Sequence, residues 1–266
     1  MQRRYVSLLG ACVGLAGLLC APSTALAQAV TPPLEQFGVL AGAGVTAVGA
    51  ATVTGDVGSC PTGAGAQPPG MIVAAPFVYR ASGADAVSCA AQATASALNA
   101  ALVALGPGAA LNPQLNLNAP VPPGVYSVPA SADIATTTTF TLNGAGTYVF
   151  IIPVSITQNT LSNVSLIGGA DPCDVFWSVG AAATLSGNSF PGTVIAGTGV
   201  TLNGAVNTVT VNGRVVSLTA SVTMPGGFAK TIGGCSAAAA PALPDVAMWG
   251  LMGILLAGGV FVLTRH

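Results

Sequence analysis

Between residues 28 and 245, turn-forming residues punctuate this chain so densely that only Asp85 to Leu105 escapes glycine and proline long enough for a long helix. That stretch is almost wholly Ala, Leu, Val, Gln, Ser and Asn, and alanine leads every helix propensity scale. The sequence therefore predicts one soluble helix over 85–105, capped by Ser82 or Asp85 and stopped by Gly106-Pro107. Val87, Ala91, Ala95, Leu98, Leu102 and Leu105 fall near one face of it. They mix small with large side chains, so that face can lie close against a sheet. Everything else has to be made of short extended segments and tight turns.

From Phe37 to Val57 apolar and small polar residues alternate, with turns at Gly42, Gly44, Gly49 and Gly55. Ser59 to Gly70 reads as a Pro/Gly-rich loop. Strand signals return from Val121 to Ile232, as in the β-branched and aromatic run Thr147-Tyr148-Val149-Phe150-Ile151-Ile152. A short unit recurs there, an apolar residue next to threonine: Ile156-Thr157, Thr184-Leu185, Val200-Thr201 and Val222-Thr223, with an earlier copy at Val45-Thr46. Spacings of roughly 16 to 28 residues are those of solenoid coils; a β-sandwich with Thr-rich strands is the alternative reading. Charged residues make up only 5% of the chain, against roughly 25% in an ordinary globular protein. Long uncharged apolar runs are confined to the two ends, so the composition is that of a repetitive β structure rather than a bundle in lipid.

The N-terminal end reads as a signal peptide over 1–27: Arg3 and Arg4, an apolar core from Val6 to Cys20, and the small-x-small site Ala25-Leu26-Ala27. Leu19 before Cys20 is too large for a lipoprotein signal. The mature domain is then 28–235. A linker follows over 236–245, holding Pro241-Ala242-Leu243-Pro244-Asp245, then an uncharged segment over 246–263 and a basic tail over 264–266. Roughly 18 residues at 1.5 Å each span about 27 Å, enough for one transmembrane helix. The layout resembles bacterial C-terminal sorting signals; a plain tail anchor is the alternative. Either way the expected localisation is extracytoplasmic, secreted and retained at the cell surface, with the membrane a partner only through that helix.

Cys60, Cys89, Cys173 and Cys235 remain after the leader. An even number in an exported chain favours disulfides, and four cysteines allow three connectivities. Cys60–Cys89, tying a loop to the helix, and Cys173–Cys235, tying the last strand to an earlier coil, are favoured. Their spacing is not a zinc pattern, and the only histidine is His266 at the extreme end. No Ser–His or Cys–His pair is therefore available, and the expectation is a non-enzyme without metal, cofactor or small-molecule substrate. Asp171 and Asp174 are spaced as a glycosidase pair or a calcium site would allow, but flanking Pro172-Cys173 they read as a solvated turn. Arg80, Arg214 and Lys230 against six carboxylates (Glu35, Asp56, Asp85, Asp133, Asp171 and Asp174) exclude a nucleic-acid surface.

Several segments resemble a known family in order and spacing. They are Phe37-Gly38-Val39-Leu40-Ala41-Gly42, Thr52-Val53-Thr54-Gly55-Asp56-Val57-Gly58, Pro123-Gly124-Val125-Tyr126 and Tyr148-Val149-Phe150-Ile151-Ile152. Cys173-Asp174-Val175-Phe176-Trp177-Ser178-Val179-Gly180 and Val211-Asn212-Gly213-Arg214-Val215 complete the set. Over about Leu34 to Cys235 the chain is similar to the microbial ice-binding proteins. The resemblance implies an all-β, right-handed discontinuous β-solenoid of triangular section, its coils stacked out of chain order and one long α-helix packed alongside. It also implies an ice crystal surface as partner, met by a flat face carrying motifs of the form Thr-Ala/Gly-x-Thr/Asn. Thr198-Gly199-Val200-Thr201 fits that form; Thr46-Ala47-Val48-Gly49 and Thr219-Ala220-Ser221-Val222 fit its first half only. With the repeat units, the ice-contact candidates are Thr46, Thr157, Thr184, Thr198, Thr201 and Thr219. The family mark at Asn212, Gly213 and Arg214 reads as structural, the first two turning a coil and Arg214 bonding backbone carbonyls. Trp177 and Phe176 read as core or helix-packing residues.

The physics of such a face stands apart from the resemblance. Strands lie about 4.8 Å apart and every second residue along one is about 6.8 Å on, so a flat sheet sets side chains on a grid. Threonine has a stiff χ1, a methyl that excludes water and a hydroxyl that anchors one. A non-catalytic surface-structural or adhesive module is the other function this sequence fits.

Overall fold

The chain winds through short parallel strands separated by sharp corners, in a computed structural model that describes residues 30–235. The leader, linker, apolar segment and basic tail read from the sequence lie outside the described residues. Each turn of the coil passes over three faces. One turn is Tyr148–Ile152, Ile156–Gln158 and Asn163–Ile167; the next begins with Val175–Val179 and Ala183–Leu185. Ser189–Ala196 and Val209–Ser217 each bend from the third face of one turn into the first face of the next. The bend in Ser189–Ala196 sits at Gly192, whose φ is +111° and where a Cβ would lie 2.6 Å from the Val175 carbonyl oxygen. Only glycine fits such a corner, and Gly213 pairs with it one coil further on.

Along each strand the pleat sends alternate side chains inward. Tyr148, Phe150, Ile152, Val175, Trp177, Val179, Val194 and Val215 fill the coil from the first face. Trp177 stacks on Phe150 at 4.2 Å, and its indole N–H donates to the Pro191 carbonyl at 2.9 Å. On this face several of the intervening residues are apolar too: Leu40, Val149, Phe176, Ile195 and Val216 point outward into a second core beneath the helix. The two aromatic neighbours Phe176 and Trp177 thus divide the roles read for them.

The helix, α1 (Ala86–Ala104), buries Ser88, Ala91, Ala95, Leu98 and Leu102. Leu105 lies beyond it as the C-cap and is 39% exposed. Small side chains let α1 come close: a Cβ at Gly58 would sit 2.5 Å from the Ser88 hydroxyl. Gln92 Nε2 donates to the carbonyls of Ser217 and Leu218 at 2.9 and 2.8 Å, and Asn99 Oδ1 accepts from the Ser178 hydroxyl at 2.8 Å. The seven residues from Gln92 to Asn99 rise about 10.5 Å, close to the about 9.6 Å of the two strand spacings between these contacts. The helix therefore runs along the stack.

That direction explains the discontinuity. The coil from Phe37 to Val53 is stacked on the last coil of the domain, with Val39↔Val215, Thr46↔Thr223 and Thr231↔Thr52 in register. The strands Asp56–Ser59 and Met71–Val73 add a further level. From there α1 carries the chain back to the other end, where Ala109–Ala110 pairs with Tyr126 and Ser127 and the winding resumes. The chain's entry and exit consequently meet. Arg214, only 4% exposed, donates to the carbonyls of both Glu35 and Cys235, as its motif suggested, and to the Thr193 hydroxyl. Burial pushes its pKa down to about 10. Both favoured disulfides are present, Cys60–Cys89 and Cys173–Cys235, with Cα separations of 5.0 and 5.3 Å.

Of the two caps considered for α1, Asp85 is the one used, accepting from the N–H and hydroxyl of Ser88 at 2.7 and 2.8 Å. Burial would raise the Asp85 pKa, but the Ser88 hydrogen bonds and the Arg80 guanidinium outweigh it and hold the carboxyl below its usual value. A depressed folded pKa makes the stabilisation complete above the unfolded value of about 3.9, and it is lost as pH falls through the folded value. Asp85→Ala is expected to cost about 1 kcal/mol at neutral pH. In urea unfolding, the gap between variant and parent should shrink on acidification; a gap independent of pH would assign the loss to packing instead.

Candidate functional site

The second face is a six-stranded parallel sheet in the order Val45–Ala47, Val222–Met224, Val200–Leu202, Ala183–Leu185, Ile156–Gln158, Ala132–Ile134. Each strand has three residues, so the pleat turns the outer two towards the core and leaves one outward. The register then aligns those single residues: Thr46 beside Thr223, Thr223 beside Thr201, Thr201 beside Thr184, Thr184 beside Thr157, and Thr157 beside Asp133. Five threonines form an unbroken column with steps of about 4.8 Å. Asp133 closes one end, its Oδ1 accepting from Asn159 Nδ2 at 2.7 Å.

Two positions earlier in each strand lies a column of small residues: Gly44, Ser221, Gly199, Ala182, Ser155 and Ser131. The backbone ladder continues through it, with N–H donors of Val222, Val200, Ala183, Ile156 and Ala132 on the carbonyls of the first five at 2.8–3.1 Å. The surface is thus low beside the threonines. None of the five hydroxyls hydrogen-bonds to the described protein, although the hydroxyls of Thr94, Thr137, Thr138 and Thr219 all bond to backbone carbonyls.

Four of the six threonine candidates, Thr46, Thr157, Thr184 and Thr201, stand in this column. Thr223 belongs to it as well; Val222-Thr223 stood in the repeat, which was the signal for it. Thr198 and Thr219 lie at the corner leading into the sheet. That corner runs from Ile152 to Ile156, from Val179 to Ala183 and from Ala196 to Val200, but from Ser217 to Val222, one residue longer. Thr198 is exposed and level with Ala181 and Ala220. The extra residue displaces Thr219, whose hydroxyl donates to the Gly197 carbonyl at 2.7 Å.

Apart from Asp133 at its end, this face carries no ionisable side chain. The three basic side chains of the described residues all point elsewhere: Arg80 pairs with Asp56 at 2.8 Å and Asp85 at 3.4 Å, Arg214 is buried, and Lys230 is 1% exposed. The Lys230 ammonium donates to the Pro225 carbonyl, and burial lowers its pKa. Asp171 and Asp174 sit in a short 3-10 turn, the first capping the Cys173 N–H at 2.8 Å. Among the described residues no group of three His, Cys, Asp or Glu could hold a metal. Along the five threonines the arrangement offers a stiff, uncharged grid of methyls and free hydroxyls.

Comparison with known proteins points one way. The sequence profile of the Ice-binding-like family matches residues 39–227. An ice-binding protein of Nostoc sp. (strain HG1) is 31% identical over 194 residues, covering 71% of this chain and 69% of that protein. Another, from Flavobacterium frigoris (strain PS1), is 28% identical over 198 residues, covering 69% and 70%. The crystal structure of an ice-binding protein from the Antarctic ascomycete Antarctomyces psychrotrophicus superposes with a TM-score of 0.63 at 26% identity, over 77% of this chain and 97% of that one.

Proposed function

Because this chain belongs to the Ice-binding-like family, we propose that it binds ice, through the flat sheet that carries Thr46, Thr223, Thr201, Thr184 and Thr157. The observation that carries the assignment to this face is the unbroken column of five threonines whose hydroxyls bond to none of the described residues. Each hydroxyl anchors one water, and the adjoining methyls and small residues keep others from disordering it. The stiffness of the threonine χ1 makes the spacing of those waters that of the strands. A single contact is weak; a column held in register engages all at once, and release requires all to break together. The mechanism uses no pocket and no cofactor.

Export and retention at the cell surface belong to the same proposal. The charge pattern of residues 1–27 and the uncharged segment 246–263 support it, and two disulfides suit an oxidising compartment. The test is ice recrystallisation inhibition by the purified protein with disulfides intact, beside a heat-unfolded control. Inhibition that vanishes on unfolding is the expected result. A folded protein without effect at high micromolar concentration would move the function to a surface-structural or adhesive role.

A further inference from the structure

The third face carries a second threonine ladder built on the same plan. In its strands Val209, Val211, Lys230, Ile232, Ala51, Val53 and Met71 point inward, which leaves Thr210, Thr231 and Thr52 outward. These three stand in register, Thr210 beside Thr231 and Thr231 beside Thr52, with Ser189 extending the column on one side and Ile72 on the other. Two positions earlier comes a column of small residues, Thr208, Ala229, Ala50 and Gly70, all exposed. The backbone ladder runs through this column as well: Val209, Lys230 and Ala51 N–H donate to the carbonyls of Ala229, Ala50 and Gly70 at 3.1–3.2 Å. None of the Thr210, Thr231 and Thr52 hydroxyls hydrogen-bonds to the described protein. The face is also uncharged, since Lys230 is turned into the core and Arg214, further along Val209–Ser217, is buried.

Three independent features of the second face are therefore repeated: the register of the threonines, the low column beside them and the unspent hydroxyls. The same coils supply both ladders, Thr201 with Thr210, Thr223 with Thr231, and Thr46 with Thr52. The second ladder is shorter. Beyond Ser189 the sheet splits, because Asn163–Ile167 pairs with Ser189–Ala196 at Asn163↔Ser189 alone. A groove of about 530 Å³ opens there, between Ser165, Leu166 and Pro172 on one side and Pro191 and Asn212 on the other.

We propose that the third face is a second ice-contact surface, which meets crystal planes other than those met by the second face. The proposal rests on the ice-binding reading above. A flat crystal surface touches one side of a three-sided coil at a time, so two such sides select planes independently.

The test is plane selection on a single-crystal ice hemisphere by the fluorescently labelled protein, compared with Thr231→Tyr, Thr201→Tyr and the double variant. The parent is expected to decorate more than one family of planes, with Thr231→Tyr erasing one, Thr201→Tyr erasing another and the double variant erasing all. Thr231→Tyr with every plane retained, beside Thr201→Tyr with every plane lost, would overturn the second surface and leave the ice-binding reading intact. Equal weakening of every plane by both variants would also overturn it, because the two ladders would then act as one surface. A parent that decorates no plane would instead sink the ice-binding reading, and this proposal with it. Should Thr231→Tyr melt early, Thr52→Tyr on the neighbouring strand asks the same question.

Discussion

Thr201→Tyr is expected to lower recrystallisation inhibition by about tenfold or more, equivalent to only about 1.4 kcal/mol of affinity for ice, while leaving the melting temperature unchanged. Thr201 stands mid-column, with Thr223 on one side and Thr184 on the other. A phenol ring there rises above the plane and holds a flat crystal away from both neighbours, so one substitution uncouples the column. Folding loses little, because the Thr201 hydroxyl has no partner among the described residues, Val200 and Leu202 supply the strand's core contacts, and tyrosine is a good strand residue. Thr198→Tyr, on the corner, should do less. Recrystallisation assays beside calorimetry separate the cases. A collapse of melting in Thr201→Tyr would show the position to be structural, and unchanged inhibition would remove this face from the mechanism.

Removing Cys173–Cys235 by the double change to alanine should have the largest effect on stability. Its partners lie 62 residues apart in sequence, and releasing a loop of that size restores about 4 kcal/mol of unfolded-state entropy. In a domain of this length that lowers Tm by about 8–16 °C. Removing Cys60–Cys89, with a separation of 29, should cost about 0.6 kcal/mol less, the difference for halving a loop. Calorimetry of the two double variants reads the order. A Tm unmoved by the loss of Cys173–Cys235 would mean that Arg214 and the pairing of the first and last coils close the domain without it.

What was legible in the sequence is what is local. The freedom of Asp85 to Leu105 from glycine and proline gave the helix, and the apolar–Thr units gave most of the column, because alternation within a strand decides which side chain faces out. What was not legible is what depends on stacking. Thr219 matches the first half of the family motif yet misses the grid, since one extra residue between Ser217 and Val222 shifts the register of that coil alone. The reverse holds for Thr210, Thr231 and Thr52. Each sits between two inward residues, as in Val209-Thr210-Val211 and Ala51-Thr52-Val53, but their alignment requires Phe37–Val53 to stack on the final coil. No short-range pattern carries that contact, because α1 takes the chain to the far end of the stack and the later coils wind back to meet the first.

The meeting of Glu35 and Cys235 at Arg214 has a mechanical consequence. A pull applied between the two ends of the domain does not travel up the stack of coils. It is borne at one corner, by a guanidinium and the parallel pairing of the first and last coils, loaded in shear. The rest of the solenoid, with both threonine ladders, lies outside the load path and keeps its spacing while the corner holds.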